Sequence, residues 1–225
     1  MHNLTVILPA ATPGSRLKSY GPRPLLVVDD ETILTKQIKI IGKLFPLAKI
    51  VLVTGFKPTR VQRAIPANSG IVTVHNPDYQ TTGVTLSVCL AIEAVPSRKA
   101  LVIYGDLVLK KNALQELADY GKSSVVYDNS HTKKHEVGVN VVDGQATQFE
   151  YGLKSRWPGI VMLDGKEKFL FHHFASEPHR ATFKGHEILN LILEQDDTQF
   201  KAFESPSRIL DFDCPKDLRV NAQFV

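Results

Sequence analysis

Short apolar runs rich in Val, Ile and Leu recur through the first half of the chain and predict buried strands. They cover residues 4–9, 49–54, 71–75 and 99–104. Strands that are covered on both faces of a parallel sheet are typically near-continuous apolar runs of this kind. The pattern therefore predicts the parallel strands of an α/β sheet.

Between these runs, apolar residues recur at spacings of three and four, which predicts amphipathic helices. The stripes are Leu34, Ile38, Ile41 and Phe45, then Val84, Val88, Ala91 and Val95, then Leu114 and Leu117 within residues 111–120. Strands that alternate with helices form βαβ units, whose crossovers are right-handed. We therefore expect a doubly wound sheet.

After about residue 121 the pattern predicts a mixed, partly antiparallel region. Strands are predicted at 123–127 and 137–142, and Asp143-Gly144 is a two-residue hairpin turn into a strand at 145–150. Helices are predicted at 167–175 and 186–195, late strands at 200–203 and 208–212, and a last helix opening at Pro215. The length favours one domain.

Composition narrows the class of ligand. The chain has 225 residues, 43% of them hydrophobic, and a net charge of +4 without a dense Lys/Arg run. This balance fits small phosphorylated ligands and predicts no nucleic-acid partner. Cys89 and Cys214 form no CxxC motif. We therefore expect both thiols to be reduced. The sequence also shows no signal-peptide pattern and no apolar stretch of ~18 residues. Together these features predict a cytoplasmic protein without a membrane span.

A small-residue loop follows the first strand and ends in an arginine. Residues 6–17 read VILPAATPGSRL. Without bulky side chains, backbone N–H groups can crowd around an anion, and the planar fork of Arg16 suits phosphate. We interpret the loop as a cradle for a nucleoside triphosphate.

Carboxylates follow two other predicted strands. Gly105-Asp106 ends the run at 99–104, at the sheet edge that carries the first loop, and strand alternation places Asp211 and Asp213 on one face. Mg²⁺ takes one or two carboxylates together with phosphates. Asp106 and Asp213 are therefore candidate metal ligands, and helix N-capping is the alternative for each.

Together these motifs resemble the nucleotidyltransferase superfamily of the GT-A type. The family pattern A-A-G-x-G-[ST]-R-[LM] corresponds to AATPGSRL at residues 10–17, P-K-P-L to PRPL at 22–25, and D-I-D-T-P-E-D-L to DFDCPKDL at 211–218. The strand-end Gly-Asp corresponds to Gly105-Asp106. NPDY at 76–79 with the segment 82–91, and the hairpin 137–150 with Gly159-Ile160, resemble the sugar-phosphate and phosphocholine branch.

The resemblance implies a Rossmann-like, doubly wound α/β fold with a mixed, mostly parallel sheet and a small antiparallel substrate lobe. It implies a nucleotide-binding half at 1–121 and an acceptor-binding half, with the second metal ligand, at 122–225. The implied reaction joins an NTP, with CTP or UTP favoured, to a sugar phosphate or phosphocholine-like alcohol phosphate. Pyrophosphate leaves, Mg²⁺ is the cofactor, and the second half is a candidate homodimer surface.

The resemblance also implies roles for individual residues. Arg16 would hold the departing β- and γ-phosphates, Arg23 would neutralise charge at the α-phosphate, and Lys154 would meet the acceptor phosphate. Asp106 and Asp213 would hold Mg²⁺. The implied nucleotide-binding residues are Leu8, Pro9, Ala10, Ala11, Gly14, Ser15, Gln80, Thr82, Gly83 and Gly105.

Several alternatives stay open. Thr82 could cap a helix, Lys154 could be plain surface, and Trp157 could pack the second half or cover a substrate. Thr12 stands where the family has a glycine and Arg23 where it has a lysine, which leaves open slow turnover, an unusual substrate or lost catalysis. A GT-A glycosyltransferase and a non-catalytic nucleotide sensor are the rival functions.

Overall fold

The structure is a computed structural model that describes residues 2–13, 18–129, 132 and 134–212. The strands are β1 His2–Ala10, β2 Val27–Val28, β3 Glu31–Thr32, β4 Lys49–Thr54, β5 Val72–His75, β6 Ser97–Ile103, β7 Leu107–Val108, β8 Ser124–Asp128, β9 Val137–Val142, β10 Gln145–Tyr151, β11 Ser155–Asp164, β12 Phe200–Glu204 and β13 Leu210–Asp211. The helices are α1 Ile33–Leu44, α2 Pro58–Arg63, α3 Val84–Ala94, α4 Gln115–Tyr120, α5 Lys166–Ala175 and α6 Gly185–Leu193, with 3-10 turns at Lys18–Tyr20, Arg23–Leu25, Lys111–Leu114 and Pro178–Arg180.

One mixed sheet runs through both halves of the chain. Its nine strands lie in the order β5-β4-β1-β6-β11-β8-β12-β10-β9. The first four are parallel neighbours, whereas β11 runs antiparallel to both β6 and β8, and β10 runs antiparallel to β12 and β9. The mixed α/β fold predicted from the sequence is confirmed. The finer GT-A description and the division into two halves stay predictions.

Side-chain alternation along β1 divides the core between the two faces of the sheet. Ile7 packs in a cluster with residues of α3, α5 and α6, whereas Val6 and Leu8 pack in a second cluster with residues of α1, α2 and α4. All three side chains are fully buried. Helices therefore cover both faces, and ligands can reach the sheet at its strand ends.

The predicted strands and helices agree with the structure to within one to three residues at most ends. The segment at 111–120 begins as a 3-10 turn before it becomes α4, and the late strand at 208–212 shortens to β13. The sequence did not predict α2 or β11. Pro158 and Gly159 (φ 101°) interrupt β11, where the pairing with β8 changes register, so its apolar pattern is broken. The predicted helix at Pro215 lies outside the described residues.

No helix in the described ranges combines the length and the apolar character that crossing a bilayer requires. Cys89 is buried and not disulfide-bonded, and burial raises its pKa to about 11. Cys214 lies outside the described residues.

Candidate active site

A first pocket of about 120 Å³ opens where β1 and β6 end side by side. The two strands are parallel neighbours, so their carboxyl ends meet at one edge of the sheet. The lining residues are Pro9, Ala10, Thr12, Arg23, Pro24, Val84, Tyr104, Gly105 and Asp106. The predicted contacts Pro9, Ala10, Gly105, Asp106 and Arg23 are thus brought together. Thr12, the residue that departs from the family pattern, contributes to the same wall.

Gly105 permits the close approach of these strand ends. Its N–H donates to the Pro9 carbonyl at 3.2 Å. A Cβ at this position would lie 2.7 Å from that oxygen, closer than real Cβ contacts come. A larger residue would therefore push Asp106 away from the end of β1.

Arg23 and Asp106 form an ion pair inside the first pocket. Arg23 begins a 3-10 turn with prolines on both sides, which restrict its backbone. Both side chains are 17% exposed. A cation and a carboxylate are therefore held together in a partly desolvated cleft, where each can still contact a ligand.

Gln37 holds the turn that carries Asp106, and sequence reasoning did not identify it. Its side chain is 1% exposed, and its Nε2 donates to the carbonyls of Tyr104 at 2.8 Å and Leu107 at 3.0 Å. These two residues flank Gly105-Asp106. A polar residue within the apolar stripe that runs from Leu34 to Ile41 is the feature that could have identified it.

Other residues of the predicted site are either buried or not described by the structure. Gly14, Ser15, Arg16 and Asp213 lie outside the described residues. Leu8 is a fully buried core residue. Ala11 is 3% exposed, and its carbonyl accepts from the N–H of Phe56 at 2.7 Å, which ties the start of the loop to the end of β4.

The segment before α3 packs tightly without a side-chain cap. The N-cap residue of α3 is Gly83, and the Thr82 hydroxyl instead donates to the Asp78 carbonyl at 2.8 Å. The interpretation of Thr82 as a helix cap was therefore wrong. A Cβ on Gly83 would lie 2.3 Å from the Phe183 carbonyl oxygen. Gln80 is exposed and donates to the Tyr79 hydroxyl at 3.1 Å.

A second pocket of about 220 Å³ adjoins the first and shares Val84 and Tyr104 with it. Its walls come from the start of β9, from β11, from the start of α6 and from β13. The other lining residues are His135, Glu136, Val137, Arg156, Trp157, Pro158, Lys184, His186 and Asp211. We refer to these two neighbouring pockets together as the two-compartment cleft.

Arg156 is the centre of a buried charge network at the base of the second pocket. Its guanidinium contacts both carboxylate oxygens of Asp128, one of them at 2.8 Å, and also Asp211 at 3.0 Å and the Ile209 carbonyl. Burial acts to lower the pKa of Arg156, but the hydrogen bonds and charges of Asp128 and Asp211 outweigh it and raise this pKa. The network fastens β13 to the sheet.

Lys184 provides an ammonium group at the mouth of the second pocket. Its Nζ donates to the Tyr151 hydroxyl at 2.6 Å and lies 5.0 Å from the centre of that ring. Burial lowers the pKa of the neighbouring His186, whose ring meets Tyr151 edge-on at 5.1 Å. Lys154, the predicted acceptor contact, is exposed and lines neither pocket.

Trp157 lines the second pocket and packs against Tyr104, which lines both pockets. It is 5% exposed, and its ring meets Tyr104 and Phe149 edge-on at 6.0 and 5.2 Å. Its Nε1 donates to the Ile160 carbonyl at 3.0 Å. The alternative that Trp157 packs the second half therefore holds, although its edge also lines the second pocket. Burial and the Asp106 charge raise the pKa of Tyr104, which keeps that hydroxyl protonated.

The residues present suit an anionic substrate better than a protein-only metal cage. Within residues 2–13, 18–129, 132 and 134–212, no group of three or more His, Cys, Asp or Glu side chains is placed to hold a metal. One carboxylate beside a cation can instead share a divalent ion with bound phosphates. The arrangement is suited to phosphoryl chemistry at the boundary of the two pockets.

Comparison with known proteins supports the α/β fold that the sequence predicts. No family model matches the chain. The bifunctional protein GlmU of Francisella tularensis subsp. novicida is 30% identical over 117 residues, which make up 52% of this chain and 25% of that protein. The chain thus matches only about a quarter of the length of this relative.

Several solved structures match nearly the whole chain, among them the following two. The CTP:phosphocholine cytidylyltransferase LicC from Streptococcus pneumoniae gives a TM-score of 0.82 at 16% identity, covering 100% of this chain and 99% of that one. The UDP-glucose pyrophosphorylase from Acinetobacter baumanii gives 0.81 at 13% identity, covering 100% and 93%. The predicted resemblance to nucleotidyltransferases is thus confirmed in the fold.

Proposed function

We propose that the chain is a nucleotidyltransferase that joins an NTP to a sugar phosphate or a phosphocholine-like alcohol phosphate. CTP or UTP is the favoured nucleotide, since the matched structures are named for CTP and UDP-glucose. The observation that carries the proposal is the two-compartment cleft. The first pocket contains Arg23 and Asp106, and the second adds the Lys184 ammonium. Such a cleft fits two phosphorylated substrates that react with each other.

In the proposed reaction, a phosphate oxygen of the acceptor attacks the α-phosphorus of the NTP. A P–O bond forms to the acceptor, the bond from the α-phosphorus to the bridging oxygen breaks, and pyrophosphate leaves. Because this displacement is direct, no covalent intermediate is needed. The chain contributes positioning and charge stabilisation. Arg23 would neutralise charge on the α-phosphate, and Arg16 would hold the departing β- and γ-phosphates.

The residues present fit a magnesium ion. Asp106 presents a partly exposed carboxylate in the first pocket, and Mg²⁺ commonly takes one or two protein carboxylates while phosphates and water complete its shell. β13 pairs with β7 so that Asp211 lies opposite Leu107, the residue that follows Gly105-Asp106. Asp106 and Asp213 would hold the ion, which when bound would offset phosphate charge.

The backbone around the first pocket would hold the nucleotide. Pro9, Ala10 and Gly105 line the pocket, and Ala11, Gly14 and Ser15 continue the loop. Gln80, Thr82 and Gly83 remain the proposed base-reading segment, because α3 that follows them contributes Val84 to both pockets.

We place the acceptor in the second pocket. Lys184 is the described ammonium group that lines it, and its Nζ is bonded to the Tyr151 hydroxyl. A lysine bound in this way can hold a phosphate as a point charge. Lys184 therefore takes the role that the sequence assigned to Lys154.

The test is to incubate the protein with Mg²⁺, each of the four NTPs and a panel of phosphorylated acceptors, and to measure pyrophosphate. Pyrophosphate from one pair of substrates is the expected result and identifies both. Transfer from a nucleotide sugar would establish a glycosyltransferase instead. Tight NTP binding without turnover by any acceptor would favour the non-catalytic sensor.

A further inference from the structure

A basic groove of about 280 Å³ lies apart from the two pockets and shares no residue with them. It lies between the exposed side of α1, the residues that follow β7, and β13. The lining residues are Glu31, Lys36, Lys39, Ile40, Lys43, Val108, Leu109, Lys110, Arg208 and Leu210. Five of these ten side chains are cationic and one is acidic.

Only part of this positive charge is neutralised locally. Lys36 pairs with Asp29 at 2.6 Å, and Lys39 pairs with Glu31. Surface pairs of this kind are weak and leave the ammonium able to contact a second anion. Lys43, Lys110 and Arg208 have no side-chain partner within the part of the chain that the structure describes.

The rest of the lining narrows the chemistry of a ligand. Ile40, Val108, Leu109 and Leu210 form an apolar floor. Among the described residues that line the groove, none has an aromatic ring on which a base could stack. The volume lies just below the range of about 300–1,000 Å³ that is usual for small-ligand sites. The three unpaired cations come from α1, from the segment after β7 and from the segment before β13. A chain of linked phosphates carries several anionic groups, which matches several cations along one groove.

We propose that this groove binds a small ligand through two or more linked phosphate groups. Pyrophosphate, tripolyphosphate and the phosphate chain of a nucleotide share this chemistry. Lys43, Lys110 and Arg208 would supply the charge, and Lys36 and Lys39 would strengthen it. Ammonium groups on flexible stems can adapt to such a chain as point charges.

The groove is structurally linked to the first pocket. The outer side of α1 supplies its lysines, while Gln37 on the buried side of the same helix holds the turn that carries Asp106. Val108 lines the groove two residues after Asp106. A ligand that joins α1 to Lys110 and Arg208 therefore contacts the elements that fix Asp106 in place.

The experiment measures the binding of tripolyphosphate and pyrophosphate to the full chain by titration calorimetry in EDTA. The triple variant Lys43→Ala, Lys110→Ala, Arg208→Ala removes the groove cations. A matched control, Arg63→Ala, Lys122→Ala, Lys166→Ala, removes the same charge from exposed positions elsewhere. We expect affinity for tripolyphosphate at the groove to fall at least tenfold in the groove variant and to stay at the wild-type value in the control.

Amide chemical shifts locate the ligand independently of any activity. In the wild type, tripolyphosphate should shift the amides of residues 36–43 and 108–110, and these shifts should vanish in the groove variant. Equal losses in both variants would show an effect of overall charge only, and unchanged binding in the groove variant would likewise overturn the proposal. A parallel titration with CTP and UTP shows whether a nucleotide supplies the phosphate chain, since it then shifts the same amides.

Discussion

The first pocket is assembled from the ends of two neighbouring parallel strands, whereas the second gathers residues that are far apart in the sequence. Pro9, Ala10, Gly105 and Asp106 follow β1 and β6 directly. The second pocket instead takes its charged side chains from four elements, with Arg156 and Lys184 among them. The first can therefore be located from strand patterns, while the second depends on tertiary packing.

The ion pairs of the two pockets differ in how far they are exposed to solvent. Arg23 and Asp106 are each 17% exposed, whereas Arg156 and Asp128 are 4% and 3% exposed. A partly exposed pair can exchange its partner for a ligand at small cost, but a buried pair cannot be broken without leaving a charge in a medium of low dielectric constant. The first pair is thus suited to chemistry and the second to holding the structure.

The largest expected effect is the loss of activity in Asp106→Asn. Removing one of the proposed Mg²⁺ ligands should lower pyrophosphate release by at least about 10³-fold, equivalent to about 4 kcal/mol of transition-state stabilisation. The melting temperature should change little, because the side chain lines a pocket rather than the core. Asp119→Asn, on the exposed side of α4, is the control and should keep wild-type activity. Near-normal turnover in Asp106→Asn would remove this residue from the proposed mechanism.

The second prediction compares the two arginines directly. Arg156→Met should lower the free energy of unfolding by about 3–5 kcal/mol, because the buried Asp128 carboxylate loses its partner. Arg23→Met should cost about 1 kcal/mol or less in stability and yet reduce kcat by about 10²-fold. Urea unfolding and pyrophosphate release separate these effects.

A second substitution checks the physical reason. Adding Asp128→Asn to Arg156→Met removes the uncompensated carboxylate and should restore part of the lost stability. If Arg23→Met destabilised the fold as much as Arg156→Met, the distinction between the two pairs would be wrong.

The third prediction compares Lys184, our proposed acceptor contact, with Lys154, which the sequence indicated. A charge-assisted hydrogen bond is worth about 1.5–3 kcal/mol, so Lys184→Met should raise the KM of the acceptor roughly 10- to 100-fold. The KM of the NTP should not change. Lys154→Met is the matched variant and should leave both constants at wild-type values, because this side chain lies outside both pockets. The reverse result would return the acceptor role to Lys154.

The contrast between Lys154 and Lys184 illustrates which features can be predicted from local sequence patterns and which cannot. The parallel strands and Gly105-Asp106 were predictable, because apolar runs and strand-end glycines are local patterns. β11 was missed because Pro158 and Gly159 interrupt its pattern. Lys184 precedes a helix about 30 residues beyond the hairpin that contains Tyr151, and no local spacing relates the two positions.

The buried polar residues illustrate the same limit. Gln37 occupies a core position on α1, and its role becomes visible only through its bonds to the carbonyls on either side of Gly105-Asp106. Arg156 in β11 likewise shows its function only beside Asp128 and Asp211. In both cases, contacts between distant elements decide what the side chain does, and such contacts are not encoded in the neighbouring residues.

The smallest expected effect concerns the contribution of His186, in the second pocket, to the pH dependence of stability. Burial lowers the pKa of His186 below its ordinary value of 6.5, with a smaller contribution in the same direction from Lys184 and an opposing one from Glu187. As the pH falls below about 6.5, the unfolded chain takes up a proton at this residue before the folded chain does, so folding stability decreases.

His186→Phe keeps a ring against Tyr151 and removes this titration. Between pH 7 and pH 5, the variant should therefore lose less stability than the wild type in urea unfolding. An equal loss of stability in wild type and His186→Phe would mean that the second pocket does not disfavour the protonated imidazole.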